Sequence, residues 1–324
     1  MQKYLKYSLI LFILIFVALA VMAILTDATD VILDANPLFL AIACLFFIIS
    51  IVFWIIPWVL LLKRGRKFPL SQSIIMGFSC VYGALTPIQV GAEALRSIKA
   101  KELFHVSYSE SISAAMVVKG MKFFLLAILA SVVLVTILLE TELSIILFLG
   151  LLSGFVVIVL AAALFLLPLN KKVGLGISIF FANLGKIIKP FGVLEKYFCK
   201  YSTYLEYIPK RKFLFVLILA GLSFVFEFIA LYFTFFSLGV FIALFPLAVL
   251  FVIISILERT PVLPRGVGLV EAAGFIFLSL PEFSMIELST AEVAAILVLF
   301  DVVRLLVPTI ISLIVSTIPV KNVQ

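Results

Sequence analysis

The residues best equipped for chemistry gather around one pattern that occurs twice. Pro87-Ile88-Gln89-Val90-Gly91 and Pro264-Arg265-Gly266-Val267-Gly268 both read P-x-x-V-G. Each sits at or just after a Thr-Pro pair, Thr86-Pro87 or Thr260-Pro261, and each is followed within three residues by a glutamate, Glu93 or Glu271. Arg96 follows the first copy and Arg265 lies inside the second. Proline removes a backbone donor and clashes with the preceding turn. Glycine admits positive φ and close approach of another backbone or a ligand. A helix that restarts after each break, near Ala92 and Leu269, presents free N–H groups and a partial positive charge. Two such ends aimed at one place would hold an anion such as a phosphate. The plainer reading is a pair of proline kinks that help to pack a bundle; the matched copies with their following glutamates favour a site.

Other charges fall within apolar stretches, where each costs about 2.5–3.5 kcal/mol at a helix centre and so needs a partner or a job. Glu227 is flanked by Phe224, Phe226 and Phe228. It reads either as a cavity carboxylate, for a head group or a proton, or as half of an interhelical pair with a buried cation such as Arg265 or Arg304. Asp301 and Arg304 are three apart and share a helical face. They form a self-neutralising pair, or Arg304 turns to a cavity and holds a phosphate. Arg265 offers a fork of donors to a phosphate, or bridges to Glu271 or Glu258. Glu93 and Arg96 are also three apart; their place in the repeated pattern favours a site over a surface pair. Lys119 and Lys122 read first as snorkelling to the cytoplasmic interface; facing the cavity, they would add to an anionic head-group funnel.

Several function classes find no support. His105 is the only histidine, and nothing around it suggests a zinc site or a Ser-His-Asp triad. Cys44, Cys80 and Cys199 are far apart and odd in number, without disulfide or metal spacing. No G-x-x-x-x-G-K-[ST] motif occurs. The expectation is therefore no enzyme, no catalytic residue, no metal and no cofactor, with energy drawn from an ion or lipid gradient.

These residues must be positioned by membrane helices. The chain has 324 residues, 65% of them hydrophobic, and a mean hydropathy of +1.36, far above soluble domains at about 45–50% apolar. A crossing takes about 20 apolar residues, which predicts full spans at 9–25, 38–62, 111–139, 143–167, 213–236 and 291–318. The stretches 70–97 and 241–280 fit no simple crossing, and they carry the two breaks. Asp27, Asp30, Asp34, Glu140, Glu142, Glu282 and Glu287 lie in connections without Lys or Arg, whereas Lys3, Lys6, 63–67, Lys99, Lys101, 171–212 and Lys321 are cationic. The positive-inside rule puts the cationic segments, with both termini, in the cytoplasm. Segment 70–97 then enters and leaves on the inner side, and 241–280 on the outer side. The fold class predicted is all-α: a single polytopic membrane domain, 1–324, with about six full spans and two opposed re-entrant hairpins in an inverted-repeat-like arrangement. Segment 171–212 reads as a cytoplasmic amphipathic linker, split at Pro190. The net charge of +7 points to topology and anionic head groups at the inner leaflet, not to nucleic acid.

Over its whole length the chain resembles the flippase-like membrane family, the transmembrane region of lysylphosphatidylglycerol synthases. The first family signature, Thr-Pro, a few residues, then Gly-Gly-Glu-Pro-Leu-Arg, is matched by Thr86-Pro87, Gly91-Ala92-Glu93-Ala94-Leu95-Arg96. The second, Thr-Pro-Gly-Gly-x-Gly-x-x-Glu, is matched by Thr260-Pro261 and Pro264-Arg265-Gly266-Val267-Gly268-Leu269-Val270-Glu271. Arg304 occupies the place of a family-like arginine in the last span. Ala92 and Ala94 replace the usual Gly and Pro, Val262-Leu263 is inserted, and Arg265 takes a glycine position. The soluble aminoacyl-transfer domain is not in this sequence, so lipid aminoacylation is not implied. The resemblance implies translocation of an anionic phospholipid or a polyprenyl-phosphate-linked amphiphile in the cell membrane. The expected head-group site comprises Thr86, Pro87, Gly91, Glu93, Arg96, Glu227, Pro264, Arg265, Gly266, Gly268, Glu271 and Arg304. Membrane lipids are the expected partners, and a homo-oligomer is compatible with this reading. The alternatives are a secondary transporter of a small soluble anion and an intramembrane head-group enzyme using Glu93 and Glu271.

Overall fold

The computed structural model describes residues 2–62, 69–85, 91–140, 145–189, 191–206, 208–259, 264–280 and 285–319. Among them every regular element is a helix, as hydrocarbon demands of a backbone that must satisfy its own hydrogen bonds. In chain order these are α1 (Gln2–Leu25), α2 (Thr29–Leu33), α3 (Pro37–Leu62), α4 (Leu70–Phe78), a 3₁₀ turn (Val81–Leu85), α5 (Gly91–Phe104), α6 (Tyr108–Glu140), α7 (Ile145–Leu166), α8 (Lys171–Ile187), α9 (Phe191–Glu206), α10 (Lys210–Ser237), α11 (Leu244–Glu258), a second 3₁₀ turn (Pro264–Gly266) and α12 (Leu269–Leu278). The last span is α13 (Thr290–Asp301), a π-turn (Val302–Leu306) and α14 (Val307–Ser316). Five helical stretches are long and apolar enough to cross a membrane: Pro37–Leu62, Tyr108–Leu139, Leu152–Leu169, Arg211–Ser237 and Thr290–Ser316. The remaining expected span, 9–25, is the apolar part of α1. The protein is an all-α, multi-pass membrane protein. Both stretches that fit no simple crossing are broken helices, α4 to α5 and α11 to α12.

The chain folds as two compact units. The first combines Met1–Phe53, Ile75–Leu95 and Leu222–Pro319. Its centre is the last span: 78% of that span's most apolar window is buried, against 17–33% for the other four. Ile15 and Leu19 of α1 pack with Leu85, Val298, Leu305 and Leu306. Ser289 caps α13, its hydroxyl accepting from the Glu292 N–H (3.2 Å) while Glu292 Oε2 accepts from the Ser289 N–H (2.8 Å). That gives Glu292 a local role in starting the span. Ser312 Oγ donates to the Phe78 carbonyl (2.8 Å) and accepts from the Tyr82 N–H (3.0 Å), tying the first 3₁₀ turn to α14. Only glycine fits at position 83, because a Cβ would lie 2.8 Å from the Gly91 carbonyl carbon and 2.9 Å from the Ala92 nitrogen. Along α3 and α10, Phe226 stacks on Phe46 (5.8 Å) and Phe53 (5.2 Å), and the Ser223 hydroxyl donates to the Ser50 carbonyl (3.0 Å).

The second unit comprises Trp54–Ile74 and Arg96–Gly221, with Val320–Gln324 outside the described residues. Here α8 and α9 form the two helices expected of 171–212. Phe181 stacks on Phe198 (5.2 Å), Ser178 Oγ donates to the Glu195 carbonyl (3.0 Å), and Asn170 caps α8 through the Lys172 N–H (3.1 Å). The hairpin is tied to the spans: Tyr201 donates to the Phe165 carbonyl (2.7 Å) and Tyr204 to the Leu61 carbonyl (3.0 Å). Trp58 Nε1 donates to the Ser111 carbonyl (3.1 Å), and Ser97 Oγ donates to Ser111 Oγ (2.9 Å). These bonds fix the indole face of α3 beside α5 and α6.

Candidate functional site

In the first unit the second break builds a lattice of charges. The residues 260–263 lie outside the described residues. Arg265 adopts left-handed backbone (φ 49°, ψ 30°), and Gly266 and Gly268 follow at φ 69° and 89°. At Gly266 a Cβ would meet the Leu257 carbonyl oxygen at 2.6 Å. The turn therefore folds back against the end of α11, where only glycine can pass. Helix α12 restarts at Leu269, and the carboxylate of Glu271, its third residue, reaches back to accept the Gly268 N–H. This is the glutamate half of a capping box, so the motif glutamate has a local structural role.

The guanidinium groups are shared out among four carboxyls. Arg265 donates through Nε (2.8 Å) and Nη2 to Glu258, and through Nη1 to the Arg304 carbonyl (2.7 Å). Arg304, fully buried, donates through Nε to Asp301 Oδ1 (2.5 Å), through Nη2 to Glu271 Oε1 (2.9 Å) and through Nη1 to the Arg265 carbonyl (3.0 Å). The Arg265–Arg304 exchange has a backbone cause. Pro308 has no N–H for the carbonyl four residues earlier, which is that of Arg304. The π-turn Val302–Leu306 lies at this point, a distortion common at functional positions, and Arg265 fills the vacated acceptor. Arg259 lies 3.5 Å from Glu227 and 4.0 Å from Glu258, donates to the Ser255 carbonyl (2.7 Å) and covers the Phe224 ring at 4.9 Å.

Several sequence expectations resolve here. Asp301 and Arg304 do pair, and Arg265 bridges to Glu258. Glu227 does form an interhelical pair with a buried cation, and that cation is Arg259, because one turn of α11 beyond Ser255 brings it against α10. All three nitrogens of both Arg265 and Arg304 are engaged by protein groups. Glu227, Pro264, Arg265, Gly266, Gly268, Glu271 and Arg304 thus belong to one lattice or to its turn.

The first break has a different character. Thr86 and Pro87 lie outside the described residues. Gly91 is the first residue of α5, while the close backbone approach falls at Gly83. Glu93 and Arg96 are 2% and 1% exposed, so they are not the surface pair that i,i+3 spacing alone allows. Glu93 falls in the first unit and Arg96 in the second. In the second unit the Arg96 guanidinium carbon sits 4.0 Å above the Trp54 ring and 6.0 Å from Trp58. Lys122 Nζ reaches the same Trp54 ring at 5.8 Å. Lys122 is 7% exposed; it turns to the indole instead of snorkelling, since the ring face offers a desolvated ammonium an electrostatic partner. Trp54 and Trp58 were absent from the candidate residues. A signal existed, for these are the only two tryptophans and their i,i+4 spacing puts them on one helical face.

A family model for the lysylphosphatidylglycerol synthase TM region matches residues 7–312. No curated protein matches the chain, and no solved structure does.

Proposed function

The chain belongs to the family of the lysylphosphatidylglycerol synthase TM region, and from that premise we propose that it moves an anionic amphiphile between membrane leaflets. The family places it among membrane proteins of lipid metabolism or transport. The cargo in this reading is a phospholipid or a polyprenyl-phosphate-linked species. The observation that carries it is the meeting of two buried cations, Arg96 and Lys122, on the single ring of Trp54. A phosphate suits such a place. A guanidinium lying over an indole keeps its N–H edge directed sideways, as a planar fork for phosphate oxygens. The acyl or prenyl tails stay in lipid, and the side chains move no bonds, so no enzymatic step is proposed. The two broken helices dip from opposite leaflets, with both termini cytoplasmic in the cell membrane. The cationic helices α8 and α9 rest on anionic lipid at the inner leaflet.

The test is exchange of fluorescent anionic and zwitterionic lipids between the leaflets of proteoliposomes. Replacing both Arg96 and Lys122 by Ala is expected to slow anionic lipid exchange about tenfold or more, corresponding to ~1.4 kcal/mol per decade. Unchanged rates overturn the head-group assignment. Uptake of inorganic phosphate into the lumen without lipid exchange replaces it by soluble-anion transport.

A further inference from the structure

The charge lattice of the first unit is not evenly shared. Glu258 bridges to Arg265 and Glu227 to Arg259. The imbalance is sharpest around Arg304, which serves two carboxyls at once, Asp301 through Nε and Glu271 through Nη2. Asp301 is 1% exposed. Its Oδ2 atom is buried and receives no hydrogen bond among the described residues. The carboxyl groups of Asp301 and Glu271 are brought together by the one guanidinium that both accept from. The oxygens of Glu271 are already used, Oε1 by Arg304 and Oε2 by the Gly268 N–H. The residues that flank Asp301 in the chain belong to an apolar cluster, in which Val298, Leu305 and Leu306 pack with Ile15 and Leu19 from α1 and Leu85 from the first 3₁₀ turn. Tyr82, the other titratable group on that turn, bonds through its backbone to Ser312, farther along α14.

Two buried carboxylates that share a single guanidinium do not both stay ionised. We propose that Asp301 and Glu271 hold one exchangeable proton between them, and that its binding and release drive the lipid movement proposed above. The coupling rests on that translocation reading; the proton site does not. Loading is protonation of Asp301 Oδ2 by water, after which its O–H donates to a Glu271 oxygen. Release returns the proton to water, and no electrons move. A metal cation is a poorer occupant. Hard cations take six or more oxygen ligands, whereas the Asp301–Glu271 pair offers four, three of them already accepting hydrogen bonds among the described residues, and Arg304 stands beside them. Loss of the proton leaves two carboxylates competing for Arg304. It thereby weakens the reciprocal bonds between Arg304 and Arg265 that hold the broken turn to the last span. Arg265 also answers to Glu258, and Arg259 to Glu227, so the disturbance passes toward the ends of α11 and α10.

The experiment uses the full chain in proteoliposomes, with two readouts. The first is infrared difference titration of the carbonyl stretch of a protonated carboxyl. The second is leaflet exchange of a fluorescent anionic lipid under an imposed pH gradient. The wild type is expected to show a buried protonated-acid band that Asp301→Asn and Glu271→Gln each remove. A one-unit gradient is expected to bias the wild-type leaflet ratio by up to about tenfold for one proton per lipid, and to leave either variant unbiased. Absence of the band in the wild type, or its survival in both variants, overturns the proton site; the wild-type titration needs no variant to fold. The band together with exchange indifferent to the pH gradient, or responsive only to a sodium gradient, overturns the coupling. The band without any lipid exchange upholds the proton site and overturns the translocation reading instead.

Discussion

The two broken helices carry the same five-residue pattern and differ in electrostatic character. Beyond the second break, Arg265 and Arg304 are saturated by Glu258, Asp301, Glu271 and each other's carbonyls. Beyond the first, Arg96 lies with Lys122 on Trp54. One break is a carboxyl-rich joint locked to the last span, and beyond the other two cations share one indole ring. Matched backbone punctuation therefore does not imply matched chemistry. Proline and glycine decide where a helix stops; the neighbours that arrive from distant helices decide what the restarted end does.

The sharpest way to break this comparison is Arg304→Ala. It strands two buried carboxyls, and loss of one partner from a buried pair costs about 3–5 kcal/mol. A large fall in the melting temperature of the detergent-solubilised protein is expected, and Arg304→Lys should recover only part of it because an ammonium lacks the fork. The next effect belongs to Gly266→Ala, where positive φ and the Leu257 carbonyl at 2.6 Å both oppose a side chain, at about 1–3 kcal/mol of strain. Gly176→Ala is its control. That helical position has no atom within 4 Å of the added carbon, so the same change should stabilise by about 0.5–1 kcal/mol. Trp54→Leu removes a cation–π contact worth about 0.5–2 kcal/mol. It should weaken retention of anionic lipid on the purified protein while leaving the melting temperature less affected than Arg304→Ala does. Trp54→Phe should retain part of the binding. Smallest of all is Lys171→Ala. Its bridge to Glu206 is 2.8 Å long, but the side chains are 58% and 40% exposed, and solvent screening should leave thermal stability within about 0.5 kcal/mol.

Legibility followed the range of each interaction. The spans were readable because hydrophobicity is summed residue by residue along one helix, and α3, α6, α10 and the last span fall within a few residues of their expected limits. The Pro264 turn and Gly268 were readable because they act on their own backbone. The Asp301–Arg304 pair was readable because three residues of helix bring the two side chains together. Glu227 with Arg259, and Glu271 with Arg304, were not: they join residues about thirty positions apart, and several cations compete for each acid. The burial of Lys122 was hidden for the same reason, since snorkelling is the default until a ring on another helix meets it.

By itself the sequence determined that this chain is a membrane-embedded bundle of helices, interrupted twice, because transfer of apolar side chains and the loss of backbone donors are local energies that need no partner. Only the tertiary structure decided which acid answers which arginine, that Pro308 leaves the Arg304 carbonyl to Arg265, and that Trp54 gathers two cations. Electrostatic and ring contacts fall off over a few ångströms, so their partners exist only once helices far apart in the chain have packed.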